Sequence, residues 1–201
     1  VTGVAALHPQ LMRSTVFRDF NALFPERSVN KTNGITFRRW LFQANPGLTH
    51  LLSEAIGPRF QDETDRISDL APLAGDAAFR ARFAAVRRAN KVLLARVIAE
   101  RTGTSVDPDT LFDVQIKRIH EYKRQLLNLL ETIALYQEMR AQPARDWVPR
   151  VKIFSGKAAA GYRRAKLVIK LASDVARVVN GDPALRGLLK VAFLPNYNVS
   201  L

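Results

Sequence analysis

The chain has 201 residues, 47% of them hydrophobic and 24% charged, which is the composition of a globular protein large enough for a substantial core. Its 31 lysines and arginines against 18 acidic residues give a net charge of +13, which favours phosphates, nucleic acid or acidic surfaces as partners. The absence of cysteine excludes disulfides and thiolate metal sites, the three histidines lie too far apart for a metal site, and no apolar run is long enough to cross a membrane.

The first part of the chain predicts short helices separated by turns. A loop and a short helix are predicted near the N terminus, with four apolar residues at helical spacing: Leu11, Met12, Val16 and Phe20. Asn30–Gly34 has the composition of a turn and is either a hairpin or a functional loop. The run Arg38-Arg39-Trp40 suits internal stacking, an anion clamp or a surface patch. Residues 48–56 predict a helix that ends at Gly57.

A long helix is predicted from Ala77 to about Glu100, with Asp76 as its N-cap. Its predicted inner stripe consists of Phe79, Phe83, Val86, Leu93, Leu94 and Val97. Basic residues between Arg80 and Lys91 occupy much of the remaining surface. We favour a solvated face for this basic run over a footprint for nucleic acid, because no exposed aromatic residues are interleaved with the cations.

From residue 112 the pattern alternates strand, helix, strand, helix, strand. Strands are predicted at residues 112–117, 150–154 and 188–194. The inner face of the first helix is predicted to carry Tyr122, Leu126, Leu129, Leu130 and Ile133, and that of the second Ala165, Val168, Ala172, Val175 and Val179. This order predicts an α/β fold, a Rossmann-like parallel sheet with flanking helices, preceded by a helical segment.

Three loops follow the predicted strands, at residues 117–123, 155–162 and 195–200, and ligands of parallel sheets bind at this edge. The first loop and the start of its helix hold five basic or titratable side chains against the single acid Glu121: Lys117, Arg118, His120, Lys123 and Arg124. A strand end followed by a helix N terminus favours an anion site, and the alternative is a solvated basic turn. The second loop resembles a phosphate cradle but matches no established glycine pattern, so a tight turn is the favoured role of its glycines.

Four stretches in this order resemble the α-glucan phosphorylases that act on glycogen, starch or maltodextrin. They are NKTNGIT with RRWL at 30–41, FDVQIKRIHEYKRQLLN at 112–128, SGKAAAGY at 155–162 and LPNYNVSL at 194–201, and VTGVAALHPQLMR at 1–13 resembles the preceding segment. The resemblance implies a two-domain GT-B glycosyltransferase fold with pyridoxal phosphate between two Rossmann-like domains. It implies that residues 1–28 end the N-terminal domain and that residues 29–201 are part of the C-terminal domain, with a helical lead-in at 29–110 and a βαβαβ core at 111–201.

The activity that the resemblance implies is transfer of a terminal glucosyl unit from an α-1,4-glucan to inorganic phosphate, which gives glucose 1-phosphate with retained configuration. In that chemistry the cofactor phosphate donates and accepts a proton. Arg118 and Lys123 match residues that hold the substrate phosphate, and Asn33 and Tyr122 match residues that hydrogen-bond the glucosyl hydroxyls. Lys117 matches the partner of the cofactor phosphate, and the residues matching those around the cofactor ring are Trp40, Tyr197, Asn198 and Val199.

The sequence departs from the family pattern at three positions, with Phe37 and Ala160 where proline is frequent and Ser155 where glycine is frequent. None of these removes a proposed phosphate ligand. The lysine that forms the Schiff base lies in a motif like EASGTGNMK, which this chain lacks and which we expect beyond Leu201. We therefore expect a fragment that is inactive alone, from a cytoplasmic homodimer without a membrane or nucleic-acid partner.

Two other interpretations stay open from the sequence. One is a basic α/β module that binds nucleic acid through residues 80–91, with an affinity that falls steeply with salt. The other is a catalytically idle relative of the phosphorylases, against which the retained Arg118 and Lys123 argue.

Overall fold

A computed structural model of the chain describes residues 1–198 and divides the chain into two compact units, with the boundary between Phe83 and Ala84. None of the helices described in these residues combines the length and hydropathy that a membrane crossing requires. Over the same residues, no group of three histidine or acidic side chains is arranged to hold a metal ion. The predicted position of Val199 in a cofactor pocket lies outside the described residues.

The first unit begins with a small parallel sheet, in which β1 (Thr2–Gly3) pairs with β2 (Val29–Asn30). Helices α1 (Leu7–Ser14) and α2 (Arg18–Leu23) connect the two strands. The one short helix that was predicted is found as two, and the apolar residues at helical spacing are not buried together: Leu11 is 50% and Val16 81% exposed. The chain leaves the helical conformation between α1 and α2, so residues at helical spacing do not share one face.

The hairpin alternative for Asn30–Gly34 is also wrong. Residue Asn30 pairs in parallel with Gly3, and residues 31–36 follow without regular structure. A hairpin would need an antiparallel partner directly after the turn, and β2 has none in the described part of the chain. The segment with the predicted sugar contact is therefore an extended, exposed loop.

The rest of the first unit is helical. A π-helical segment (Arg38–Gln43) leads to α3 (Pro46–Ile56) and to the 3-10 segments Pro58–Gln61 and Thr64–Gly75. The Asn45 side chain accepts a hydrogen bond of 3.2 Å from the Leu48 N–H and caps α3, which ends at Gly57 with φ of 80°. The helix predicted over residues 48–56 is thus confirmed, with an earlier start. The buried apolar residues of the first unit's helical part are Leu51, Leu52 and Phe60.

Helix α4 (Ala77–Thr102) confirms the predicted long helix and its cap, since the Asp76 carboxylate accepts a hydrogen bond of 2.9 Å from the Phe79 N–H. The predicted stripe is wrong at Phe83 and Leu93, which are 37% and 57% exposed. The buried residue is Ile98, and the part of α4 that packs on the core of the second unit is its C-terminal end. The predicted stripe required the same face of α4 to be covered along its whole length. The helix passes from one unit into the next, so its two ends have different neighbours.

The second unit contains the predicted parallel sheet. Strands β3 (Leu111–Ile116), β4 (Arg150–Gly156) and β5 (Leu189–Pro195) lie in the order β3-β4-β5, all parallel. Helix α5 (Gln125–Ala141) connects the first two strands, and α6 (Arg163–Gly181) connects the second and third. The α/β prediction is confirmed, with strand starts and ends within a few residues of those expected.

Side chains alternate along the strands, and β4 and β5 are packed on both faces, whereas Leu111 and Val114 of β3 are 48% and 47% exposed. One face carries the core formed with α5 and α6: Leu129, Met139, Phe154, Ala172, Val175, Val179, Leu185, Leu189 and Val191. The other carries the core formed with the end of α4: Ile98, Val106, Val151, Ile153, Ala192 and Leu194. This burial explains why β4 and β5 are rich in apolar residues, which makes them recognisable in the sequence.

The predicted inner face of α6 is confirmed, whereas that of α5 is wrong in part. Tyr122 precedes the helix in a 3-10 turn (Glu121–Lys123) and is 66% exposed, and Leu126 and Leu130 are 48% and 53% exposed. The buried residues of α5 include Gln125, Leu129 and Thr132. The helix starts only at Gln125, so a face counted from Tyr122 has the wrong phase.

Candidate functional site

The loops after β3 and β4 lie side by side at the carboxyl edge of the sheet. Their backbones continue the pairing of the strands: the Lys117 N–H donates to the Ser155 carbonyl at 3.1 Å and the Ile119 N–H to the Lys157 carbonyl at 3.0 Å. The third loop begins at the same edge, because Pro195 is opposite Gly156 in the register of β4 and β5. The sheet therefore brings the three predicted loops to one edge.

Gly156 is required by the close approach of these two loops. A Cβ atom built at this position would overlap the carbonyl oxygen of Lys117 and would lie 2.8 Å from Cδ1 of Ile119. At Gly161, by contrast, a Cβ atom would meet nothing within 4 Å. Both glycines were predicted to permit a tight turn. At Gly156 the role is instead steric, because any side chain there would push the first loop away from the second.

Glu121, the only acid in the first loop, is bound to residues that follow β4. Its carboxylate accepts a hydrogen bond of 2.5 Å from the Tyr162 hydroxyl and one of 2.8 Å from the Arg164 guanidinium, and its N–H donates to the Tyr162 oxygen at 3.3 Å. The hydrogen bond from Tyr162, and after it the one from Arg164, lowers the pKa of Glu121. The hydrogen bond between Tyr162 and Glu121 also raises the pKa of Tyr162. Glu121 is therefore committed to the second loop and to α6.

Among the described residues, the cations of the first loop have no acidic partner. Lys117 and Arg118 are exposed and Lys123 is half-buried, and no carboxylate pairs with any of them in residues 1–198. The contact of Lys123 is aromatic, with Nζ 4.6 Å from the ring centroid of Tyr122. Uncompensated positive charge at a sheet edge attracts anions.

The backbone of α5 adds to this positive field. The helix is preceded by Arg124 in the left-handed conformation (φ 60°, ψ 31°), and no side chain caps its N terminus. Lys123 and Arg124 therefore stand at the positive end of the helix dipole, which is unfavourable for cations. A bound anion would relieve this repulsion. The left-handed backbone costs a non-glycine residue about 1–2 kcal/mol, so other contacts must hold the turn.

His120 lies between two aromatic rings. Its ring centroid is 4.4 Å from that of Tyr122 and 5.0 Å from that of Tyr162, and its Nδ1 accepts a hydrogen bond of 3.3 Å from the Tyr122 N–H. These contacts order the loop that carries Tyr122. The sequence contains a signal for the link between the loops, namely one glutamate among cations and a Tyr-x-Arg after the next strand, but periodicity and motif spacing do not pair the two.

The predicted site residues of the second unit fall into two groups. Lys117, Arg118, Tyr122 and Lys123 are together in the loop between β3 and α5, whereas Tyr197 and Asn198 follow β5, half-buried and exposed, respectively. Asn198 donates a hydrogen bond of 3.2 Å to the Asn196 carbonyl, and over the described residues Tyr197 makes no hydrogen bond or ring contact with the first loop.

The first unit contains the other two predicted site residues. Asn33 is exposed in the loop after β2, and Trp40 is 46% exposed in the π-helical segment. The Arg39 guanidinium lies 5.8 Å from the Trp40 ring centroid. Phe37, which stands where the family frequently has proline, begins a helical turn. Its ring stacks on that of Phe42, with the two ring centroids 6.3 Å apart. Two of the three roles open for this segment match the structure, internal stacking by the contact of Arg39 with Trp40 and a surface patch by the exposure of all three residues.

The chain matches the family described as carbohydrate phosphorylase over residues 1–201. Glycogen phosphorylase of Haemophilus influenzae is 51% identical over 201 residues, 100% of this chain and 24% of that protein. Glycogen phosphorylase of Synechocystis is 51% identical over 199 residues, 99% of the chain and 23% of that protein. The liver form of human glycogen phosphorylase is 45% identical over 201 residues, which are 100% of this chain and 24% of that protein. The chain thus spans about a quarter of the length of these relatives. With its whole length matched, the chain belongs to the carbohydrate phosphorylase family.

Proposed function

We propose that this chain acts within an α-1,4-glucan phosphorylase (the full-length enzyme), which transfers a terminal glucosyl unit to inorganic phosphate and gives glucose 1-phosphate with retained configuration. The names of the relatives support the reaction class. The observation that carries the proposal for this segment is the set of cations in the first loop, whose only carboxylate is bound elsewhere. The domain division at residues 28 and 29, the GT-B fold, the cytoplasmic location and the homodimer belong to the same proposal.

Arg118 and Lys123 hold the substrate phosphate in this proposal. A guanidinium can donate to two phosphate oxygens at once, and an ammonium adds a compact charge. At about 4 Å each pair of unit charges contributes about 4 kcal/mol before desolvation, if the effective dielectric constant is about 20. The Tyr122 ring beside Lys123 orients the ammonium, and its exposed hydroxyl is available to a sugar hydroxyl. Asn33 supplies an amide for another sugar hydroxyl.

The residues present fit pyridoxal phosphate by the chemistry of their side chains. Lys117 has an exposed ammonium without an acidic partner in residues 1–198, which suits the cofactor phosphate. Trp40 and Tyr197 offer ring surface, and Asn198 and Val199 complete the proposed wall. When bound, the cofactor supplies a phosphate that donates a proton to the substrate phosphate and accepts it back. Two phosphates in contact repel each other, so Lys117, Arg118 and Lys123 serve to offset that repulsion.

Binding of nucleic acid, the alternative, has no support in the comparisons. The basic face of α4 is also engaged within the chain: Arg82 pairs with Glu54, and Arg88 makes two hydrogen bonds, of 2.7 and 2.8 Å, to Asp109. Lys91 donates to the Thr110 carbonyl at 2.6 Å. These cations are thus partly neutralised by their own chain.

The proposal is tested by substituting Arg118→Ala in the full-length enzyme. We expect kcat/KM for inorganic phosphate to fall about ten- to a hundredfold, because a hydrogen bond to a charged group contributes about 1.5–3 kcal/mol. Arg118→Lys should be intermediate, since it keeps the charge but loses the bidentate contact. Arg101→Ala, at the exposed C-terminal end of α4, is the control. An unchanged dependence on phosphate would refute the role of Arg118.

The 201-residue chain alone should show no phosphorolysis, since no Schiff-base lysine is assigned within it. Glucose 1-phosphate production is measured with purified chain, glucan, phosphate and added cofactor. Glucan-dependent production by this preparation would contradict the proposed division of the active site.

A further inference from the structure

A directed chain of hydrogen bonds leads from a buried ammonium to the first loop. Lys152 Nζ donates to Asn128 Oδ1 at 3.3 Å, Asn128 Nδ2 donates to Gln115 Oε1 at 3.0 Å, and Gln115 Nε2 donates to the Lys123 carbonyl at 3.0 Å. We call Lys152, Asn128 and Gln115 the relay. It ends on the backbone of a proposed phosphate ligand.

The relay follows from the register of the sheet and the period of α5. Asp113 and Gln115 share one face of β3, and Lys152 is opposite Asp113 on β4. Lys152 is 3% exposed, and its Nζ also contacts the Asp113 and Glu131 carboxylates, each at 2.5 Å. An ammonium has three donors, so with two carboxylates bound the third is directed to Asn128.

The charge at one end sets the polarity of the relay. Because the ammonium only donates, Asn128 must present its oxygen to Lys152 and its NH₂ group to Gln115. Gln115 must then present its oxygen to Asn128, which leaves its own NH₂ group for the Lys123 carbonyl. The orientation of both amides is therefore determined by Lys152.

A second amide holds the other part of the loop. Gln125 is 3% exposed, its Nε2 donates to the Arg118 carbonyl at 3.1 Å and its Oε1 accepts from the His120 N–H at 3.4 Å. The backbone is thus held at both proposed phosphate ligands, Arg118 and Lys123. The loop needs such support, because its cations repel one another and the left-handed residue Arg124 follows directly.

We propose that Gln115 and Gln125 are positioning residues for the phosphate site, and that the relay fixes the orientation of Gln115. This inference rests on the proposed function, since it assumes that Arg118 and Lys123 bind phosphate. The two amides touch the backbone of the ligands, and they act by holding the cationic side chains where one phosphate can contact both.

Gln115→Met and Asn128→Asp test the relay in the full-length enzyme. Methionine keeps the length of the side chain but cannot donate to the Lys123 carbonyl. Asn128→Asp keeps an acceptor for Lys152 but draws the NH₂ group of Gln115 away from the loop. It therefore keeps a charged partner for Lys152 while it breaks the relay, and it adds a third carboxylate to the ion cluster. The melting temperature of this variant is measured beside its KM values, which separates positioning from stability.

We expect both variants to raise KM for inorganic phosphate about tenfold, given that misplacing a group by about 1 Å can cost up to about a hundredfold. KM for glucan should rise less than KM for phosphate, because the relay holds the Lys123 carbonyl, whereas Asn33, one of the two proposed sugar contacts, lies outside the loop. Amide hydrogen exchange in residues 117–124 should become faster. Gln137 is an exposed glutamine on α5, the helix that also carries Asn128. Gln137→Ala is therefore the matched control for the two KM values and for hydrogen exchange.

An unchanged KM for phosphate in Asn128→Asp would overturn the inference, even if exchange became faster. Equal rises in both KM values, together with a lower melting temperature, would also overturn it, since they would indicate a structural role alone. Failure of the proposed function would be seen in the wild-type enzyme, as activity independent of phosphate. Failure of this inference would leave the wild type phosphate-dependent and the variants equal to it.

Discussion

The Tyr162 hydroxyl donates a hydrogen bond of 2.5 Å to the Glu121 carboxylate and so joins the loop after β4 to the loop after β3. This contact, with that from Arg164, occupies the only acid among the cations of the first loop. Within residues 1–198, Lys117, Arg118 and Lys123 therefore have no carboxylate partner, and in the proposed function their charge serves the bound phosphates. The ion pair between Glu121 and Arg164 thus keeps the charge of the basic loop available.

The contact predicts a pH-dependent contribution to stability. Hydrogen bonds from Tyr162 and Arg164 lower the folded-state pKa of Glu121 below its ordinary value of 4.5. A depressed pKa contributes stability that is present above the ordinary value and is lost as the pH falls through the folded-state pKa. Glu121→Gln should therefore lower the melting temperature near neutral pH, and the difference from the wild type should close well below about pH 4.5.

Thermal denaturation of the full-length enzyme across this pH range measures the effect. Glu100→Gln, on the exposed surface of α4, is the matched control for the loss of one carboxylate. If the difference in melting temperature between Glu121→Gln and the wild type widened as the pH fell, the stabilising effect of the lowered pKa would be contradicted.

Gly156→Ala should separate the first two loops. Its methyl group would overlap the Lys117 carbonyl oxygen, which belongs to the backbone and cannot rotate away. We expect a loss of about 3 kcal/mol in the free energy of unfolding, at the upper end for overpacked sites, and a weaker affinity for phosphate.

Gly161→Ala provides the comparison within the same loop. Space is open around this glycine and its φ lies outside the left-handed region, so the change should alter stability by less than about 1 kcal/mol. Both variants are compared by chemical denaturation. Equal midpoints for the two would show that the approach at Gly156 is not a constraint.

The ion cluster around Lys152 predicts an asymmetry between its members. Lys152→Met removes the buried charge and leaves Asp113 and Glu131, which are 36% and 49% exposed and can be hydrated. The double change Asp113→Ala with Glu131→Ala leaves an ammonium buried without a carboxylate. We expect the double change to cost about 3–5 kcal/mol and Lys152→Met to cost less than about 1 kcal/mol.

Denaturation midpoints of the three proteins measure this difference. The single variant Asp113→Ala is the control, because it leaves Glu131 in contact with the ammonium. A larger loss for Lys152→Met than for the double change would mean that packing of the lysine stem, and not its charge, holds β4 to α5.

The strands were the most predictable part of the fold. The first was expected at residues 112–117 and is found at Leu111–Ile116, because its apolar and polar residues alternate with the period of a strand. The faces of α4 and α5 were less predictable. Leu93 and Leu126 fit the helical period but are exposed, since the period does not tell which element, if any, covers a given turn.

By itself, the sequence determined the parallel α/β core, the cationic loop before α5 and the family, because strand composition and motif order are local properties of the chain. Only the tertiary structure decided which groups oppose those cations. Glu121 is adjacent to them in sequence but is bound by Tyr162 and Arg164, and Gln115, eight positions before Lys123, holds its carbonyl. Hydrogen bonds depend on distance and direction in space, and these are set by the pairing of the first two loops and by the turn before α5.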